Sequence, residues 1–394
     1  MSHDTFVVWL SDVSALPAER QLESVVKKLK HLNPGFNGKL TNFDRTGMPV
    51  IENGVVTEIG LDTFQVTDIS PIRALPSLKK LNCHVQNLGY ITDLSQLKDL
   101  KLEHLNLEHT RVYNLTPLMG MPLKSLNFGS CWDIRDLTTL KGMSLNALDF
   151  NNTRISDLSP LKGMPLEKLD CSDTSVSDLS LLTGMPLTEL NCQGCMGIDD
   201  LSPLKNMTLT TLLCINTRVY DLSPLKGMPL TNLACDVTRV SDLSPLSGSK
   251  VKWLGLSYTN VSDLLPLKGM PLTGLSFGGT QVTNLSPLKG MKLEYLSLNR
   301  TNVSDLSPLK GMPLKICSCE DSQVSDLSPL TDTPLLKLDC RNTKVSDFSP
   351  LRRMMLEELK FDFKPDVDID ILRSMSNLKR INDLTPLEFW EHVK

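Results

Sequence analysis

The phrase DLSPLKGMPL, or a close variant of it, returns along most of this chain of 394 residues. A self-similar period near 20 residues constrains folding more than any other feature, because one such unit cannot bury its own apolar face. With the first strand leucine taken as column 1, repeats begin at Val56, Leu78, Leu102, Leu123, Leu145, Leu166 and Leu187. They continue at Leu209, Leu230, Val251, Leu272, Leu293, Leu314 and Leu335, and a partial unit begins at Leu356. From Leu209 onward the step is 21 residues every time. Each unit reads L-x-x-L-x-[C/F/L]-x-x-T-x-V-S-D-L-S-P-L-K-G-M-P. Alternation at columns 4, 5 and 6 predicts a short strand with one face buried. Ser-Pro at columns 15 and 16 predicts a tight helical turn, with Ser capping it and Pro in its first position. Such units must stack on a shared core, which displaces the two or three domains that length alone suggests.

The columns resemble the leucine-rich repeat family over roughly residues 56–360. The segment Ile/Val-x-Asp-Leu-Ser-Pro-Leu is similar to the subclass found in phosphatase-regulator and internalin-type repeats. Threonine at column 9 stands where that family usually has asparagine, and its hydroxyl is expected to satisfy neighbouring backbone groups. The resemblance implies an α/β fold, a leucine-rich repeat solenoid. Its curved parallel β-sheet would form the concave face, with short 3-10 or turn segments on the convex face. The organisation expected is an N-terminal helical cap over 1–55, about 14 repeats over 56–360 and a C-terminal helical cap over 361–394. In the first cap, Pro17 to Leu32 places Leu22, Val25, Val26 and Leu29 on one helical face, ended by Asn33-Pro34-Gly35. In the last, Asp370 to Ile381 reads as one helix, and Thr385-Pro386-Leu387-Glu388 as a capping box opening a short helix with Phe389 and Trp390. The flanks WLSDVSALPAERQLESVVKKLKHLNPGF and INDLTPLEFWEHVK are similar to those of bacterial repeat proteins, some attached to serine/threonine kinase domains. This chain carries no glycine-rich loop, HRD or DFG of its own.

Composition narrows the function. Forty-one Lys and Arg against 45 Asp and Glu give a net charge of −4, which excludes a broadly basic nucleic-acid binder. Apolar runs such as Phe6 to Leu10 are too short to span a bilayer, and the opening MSHDTFVVWL lacks a secretory pattern. Seven of the ten cysteines (Cys83, Cys171, Cys192, Cys214, Cys235, Cys319 and Cys340) fall in column 6, which other repeats fill with Phe or Leu. Cys317 takes a column-4 leucine position, and Cys131 and Cys195 take column 9. Interchange with Phe and Leu makes them small buried hydrophobes, with thiolate chemistry or zinc as the alternative. Reduced thiols fit a cytoplasmic setting.

Column 13 carries a row of aspartates, including Asp157, Asp200 and Asp242. A carboxylate just before a tight turn accepts backbone N–H bonds, and one carboxylate per coil falls short of the 6–8 oxygens of a calcium site. His84 and Glu108 share column 7 and should be strand neighbours, in a polar patch with His104, His109, Arg111, Trp132, Asn152 and Arg154. A metal site there is the alternative to a plain polar patch. No Ser/His/Asp order, phosphate loop or paired-carboxylate spacing supports catalysis, and no cofactor or metal is expected.

Function should therefore lie in the columns that vary while the scaffold does not. These present Leu213, Ile215 and Val237, then Trp253 and Tyr258, then Tyr295 and Arg300, with Arg218 and Arg239 stacked at column 10. Exposed aromatic and apolar residues rimmed by arginine are the composition of a protein-binding hot spot. The expectation is a monomeric, non-enzymatic scaffold that binds a protein or peptide on the concave face, without nucleic acid or membrane. The alternative, implied by the family resemblance, is a regulatory or sensing module of a bacterial Ser/Thr kinase or phosphatase pathway.

Overall fold

A computed structural model describes residues 3–85 and 89–392, and the chain divides at Gly197/Ile198 into two compact units. Both are built from one kind of coil. Columns 3–5 form a three-residue strand whose column-4 leucine points inward, as in Leu254 between Trp253 and Gly255. The chain then turns and runs back through a one-turn 3-10 helix at columns 15–17, such as Ser223–Leu225.

The first unit opens with two helices, α1 (His3–Ser14) and α2 (Ala18–Leu32). They pack on each other and on the first 3-10 turn, Ser70–Ala74. Val25 and Leu29 of α2 are fully buried, while Leu22 and Val26 are half-buried at the edge of the predicted stripe. Lys28 lies over the stacked rings of Phe6 and Trp9, tying the two helices together. Three strands follow, β1 (Leu40–Thr41), β2 (Val50–Glu52) and β3 (Val55–Leu61). β1 and β2 pair antiparallel with β3. From β3 the sheet grows in parallel through β4 (Lys80–Asn82), β5 (His104–Asn106), β6 (Ser125–Asn127), β7 (Ala147–Asp149), β8 (Lys168–Asp170) and β9 (Glu189–Asn191).

The second unit stacks β10 (Thr211–Leu213), β11 (Asn232–Ala234), β12 (Trp253–Gly255), β13 (Gly274–Ser276) and β14 (Tyr295–Ser297) in parallel. It continues through β15 (Ile316–Ser318), β16 (Lys337–Asp339), β17 (Glu358–Lys360) and β18 (Arg380–Ile381). Helix α3 runs from Pro365 to Ser374, so the helix expected over 370–381 starts earlier and stops sooner. Pro365 supplies a preset φ at the start. Residues 380–381 instead pair with β17 as one more coil strand. Helix α4 (Pro386–His392) opens on the expected capping box. The Thr385 N–H donates to Glu388 Oε2 at 2.8 Å, and the Glu388 N–H to Thr385 Oγ1 at 3.4 Å. Phe389 is buried against the ring of Phe363. No helix among the described residues is long and apolar enough to cross a membrane.

Three recurring bonds hold the coils. Column-13 carboxylates cap the 3-10 turns: Asp242 Oδ1 accepts from the Ser244 N–H at 2.8 Å, and the Ser244 hydroxyl donates to Asp242 Oδ2 at 2.8 Å. The cap is thus the aspartate and not the serine, which is itself the first residue of the turn. These bonds hold the Asp157, Asp200 and Asp242 carboxyls below their usual range. Column-9 threonines bond within their own coil, the Thr238 hydroxyl donating to Cys235 O at 2.6 Å and that of Thr259 to Leu256 O at 2.6 Å. All ten cysteines are buried thiols, and none of them is in a disulfide. At column 6, sulfur reaches the next strand's carbonyl: Cys214 Sγ lies 3.5 Å from Ala234 O, and Cys235 Sγ 3.4 Å from Gly255 O.

Candidate functional site

The two units differ in what their strands show to solvent at column 5. In the first unit the column holds Asn82, Asn106, Asn127, Asp149, Asp170 and Asn191. Each of these turns its Oδ1 onto the N–H two residues on, at 2.8–3.1 Å. In the first five coils of the second unit it holds Leu213, Ala234, Gly255, Ser276 and Ser297, so the strip is low there, before Ser318, Asp339 and Lys360. Leu213 and Ile215 are half-buried, and Gly255 and Ala234 are buried. Large side chains then rise on either side of a shallow trough.

One wall is Trp253, at column 3 and 42% exposed. Its ring lies across Gly274 of the next coil, where a methyl group would overlap Cε3 and Cζ3. That passage lets it meet Tyr295 two coils away, with ring centroids 4.9 Å apart and planes tilted by 36°. The other wall repeats the device at column 8. Tyr258, 52% exposed, lies across Gly279, whose added Cβ would sit 2.6 Å from the ring's Cδ1. Its hydroxyl then accepts a bond from Arg300 Nη1 at 3.0 Å, two coils on. Arg300 Nε donates in turn to Asp321 Oδ2 at 3.3 Å, and both partners hold its guanidinium more firmly protonated than usual, Tyr258 first. Between the walls lie Gly255, Ser257, Ser276 and Gly278, with the Ser257 and Ser276 hydroxyls in mutual contact. The aromatic pair and the Tyr–Arg pair span 42 residues each. The sequence carried a signal for both: a large residue followed by glycine 21 positions later in the same column, and a large residue again 21 beyond that.

Column 8 turns the chain through the left-handed region in every coil from Asn216 to Asn342. Asn, Asp and Gly suit that geometry, and most coils use them. Val237, Tyr258 and Arg300 do not, yet stand there at φ of 56°, 57° and 56°. Val237 is also 46% exposed, so no core contact accounts for the choice. A non-glycine side chain held there carries local strain. Val237→Asn should therefore stabilise the chain by about 1 kcal/mol, because a β-branched residue at positive φ carries roughly that cost. Urea titration of the two proteins measures it; a less stable variant removes the strain argument.

Arg218 and Arg239 are both exposed at column 10. In the first unit, His84 Nδ1 lies 3.1 Å from Glu108 Oε2, as their shared column predicts, and His109 Nε2 lies 3.9 Å from Glu108 Oε1. Burial pushes the His84 imidazole below its usual value against the pull of Glu108. Arg111 covers the ring of Tyr90 at 4.9 Å, and Trp132 stands 55% exposed. Among the described residues no group of three His, Cys, Asp or Glu side chains is placed to hold a metal. Burial pushes the Cys83 and Cys214 thiols up to about 12. At Cys195 a bond from the Cys171 thiol lowers the value to about 7, although both sulfurs are sealed from solvent. A nucleophile needs access to a substrate, and this pair has none.

No family model matches the sequence, and no curated protein matches it. Solved structures do. An internalin (inlF) from Listeria monocytogenes is 21% identical with a TM-score of 0.51, over 93% of this chain and 98% of that one. The functional domain of InlJ from Listeria monocytogenes, which includes a cysteine ladder, is 21% identical with a TM-score of 0.51, over 82% and 72%. The leucine-rich repeat ectodomain of a plant membrane receptor kinase from Arabidopsis thaliana, in complex with Casparian strip integrity factor 2, is 16% identical. Its TM-score is 0.57 over 91% of this chain and 52% of that one. Short parallel strands, 3-10 turns at a 21-residue step and these likenesses together make the fold of this chain a leucine-rich repeat solenoid.

Proposed function

We propose that the chain is a monomeric, non-enzymatic scaffold that binds a protein or peptide on its concave face, over the second unit's sheet. The observation that carries this reading is the trough: two aromatic walls, each laid across a glycine of the next coil, enclose a floor of glycine and serine with the Asp236 carboxylate over Gly255. Broad ring surface held rigid costs little entropy when a partner covers it. Three left-handed positions given to Val237, Tyr258 and Arg300 support the same reading. A receptor-kinase ectodomain of similar fold was solved in complex with Casparian strip integrity factor 2. The net charge of −4 speaks against nucleic acid, and ten buried thiols suit a reducing, cytoplasmic setting. The alternative of a kinase- or phosphatase-linked module rests on the family resemblance alone.

Replacing Trp253 and Tyr258 together by Ala should weaken capture of the native partner by at least ~2 kcal/mol, the scale of paired hot-spot residues. Pull-down from the host followed by titration calorimetry measures the loss, and an unchanged melting curve shows that the fold is intact. Undiminished affinity would remove the trough as the binding site.

A further inference from the structure

We infer that the segment received by this face carries an acidic side chain close to an apolar anchor, and that Arg218 and Arg239 read the acid. The inference rests on the binding reading above and names the chemistry of the partner. Arg218 and Arg239 occupy column 10 of adjacent coils, and their backbones are fixed: the Arg218 N–H donates to Ile198 O at 2.8 Å, and the Arg239 N–H to Val219 O at 2.9 Å. Both side chains are exposed. Among the described residues, no carboxylate pairs with either guanidinium. The nearby candidates are committed elsewhere. Asp221 and Asp242 hold the Ser223 and Ser244 turns, and Asp236 Oδ1 accepts from the Ser257 N–H at 2.7 Å.

Two other arginines of the same unit are paired within the fold. Arg300 is bound to Tyr258 and Asp321, and Arg341 to Asp339 at 2.7 Å and Glu320 at 3.1 Å. At Arg218 and Arg239 the fold stacks two like charges in one column of adjacent coils and supplies neither with a carboxylate. Two guanidinium forks one strand spacing apart suit a carboxylate, which accepts from both. Val237 stands two residues from Arg239, and Tyr258 stands on the next coil, so apolar surface begins beside the charges. Successive coils lie about 4.8 Å apart, and an extended chain rises about 3.3 Å per residue. A segment crossing the strands from Arg239 to the Tyr258 ring where it lies over Gly279, two coils on, covers about three residues.

The test is selection of random 12-residue peptides displayed on phage against three full-length proteins: wild type, Trp253→Ala/Tyr258→Ala and Arg218→Glu/Arg239→Glu. Wild type should enrich peptides with Asp or Glu two to four residues from an aromatic or aliphatic side chain. The charge-reversed protein should enrich Lys or Arg in the acid's place. A synthetic wild-type binder should lose at least tenfold in affinity when its acid is changed to the amide. Peptides whose binding needs Trp253 and Tyr258 but shows no acidic preference, and no swap on charge reversal, would overturn the inference while leaving the binding site standing. Failure to enrich any peptide that depends on Trp253 and Tyr258 would overturn the binding reading itself, and the inference with it.

Discussion

Cys235→Asp should destabilise the protein by about 4–5 kcal/mol at pH 7, the range for a charge buried without a partner. Cys235 is fully buried at column 6, and burial holds its thiol well above the usual value. Its sulfur faces Gly255 O at 3.4 Å, an acceptor. A carboxylate placed there meets a carbonyl oxygen and packed side chains, with no donor to receive. It can be accommodated only by taking a proton, which then bonds to that carbonyl. The variant's folded-state pKa is therefore raised, so the folded state binds the extra proton and stability falls as pH rises. Urea midpoints at pH 4.5 and pH 7.5 should show the variant far closer to wild type at the lower pH. Cys235→Ser keeps a donor toward Gly255 O and should cost only about 1–2 kcal/mol. An aspartate variant as stable as wild type at pH 7.5 would mean that column 6 does not face the core.

That column was legible because the chain repeats it. A cysteine in place of Phe128, Phe150 or Phe277 has to occupy the same buried slot, and all of those residues are fully buried. Column 4 was legible for the same reason. The first strands were not, because residues 40–55 belong to no repeat and pair antiparallel through contacts that leave no period. Helix α1 was missed because Val7 and Val8 face solvent at 49% and 59% exposure, which blurs its apolar stripe. The C-terminal helix was misplaced because the repeat persists in a disguised form. Leu378 and Ile381 fill columns 1 and 4 of one more coil, residues 383–387 read DLTPL, and α4 grows from that turn. The residues of the trough could be named from their columns. Their arrangement depended on glycines at a distance of one repeat, a pairwise signal that reading one column at a time does not detect.

The face of the first unit carries a cost that a single atom can remove. Asp149 shares column 5 with Asn106 and Asn127, but it is a carboxylate beside Asp170 of the neighbouring strand. Burial, with Asp170 and Glu108 adding to it, raises its pKa from 3.8 to about 6 in spite of the bonds from Asn151. A carboxyl whose pKa is higher in the fold than in the unfolded chain is bound to its proton more tightly in the fold. Between pH 3.8 and about 6 the folded state therefore holds more protons, and stability declines as pH rises through that window. The cost is absent at the acid end and complete above it. At about 1.4 kcal/mol per pH unit the gap is worth at most about 3 kcal/mol, and about 2 after allowance for residual contact with water. Asp149→Asn keeps an Oδ1 for the Asn151 N–H and gains an amide that can donate toward Asp170, as Asn191 Nδ2 already does at 2.8 Å. The variant should match wild type in urea at pH 4, draw ahead as pH rises, and hold a lead of about 2 kcal/mol from pH 7 upward. A lead that does not change with pH would trace the gain to packing or to the new donor and not to the buried charge, and loss of stability at pH 7 would mean that Asp149 is held charged by a partner worth more than its burial costs.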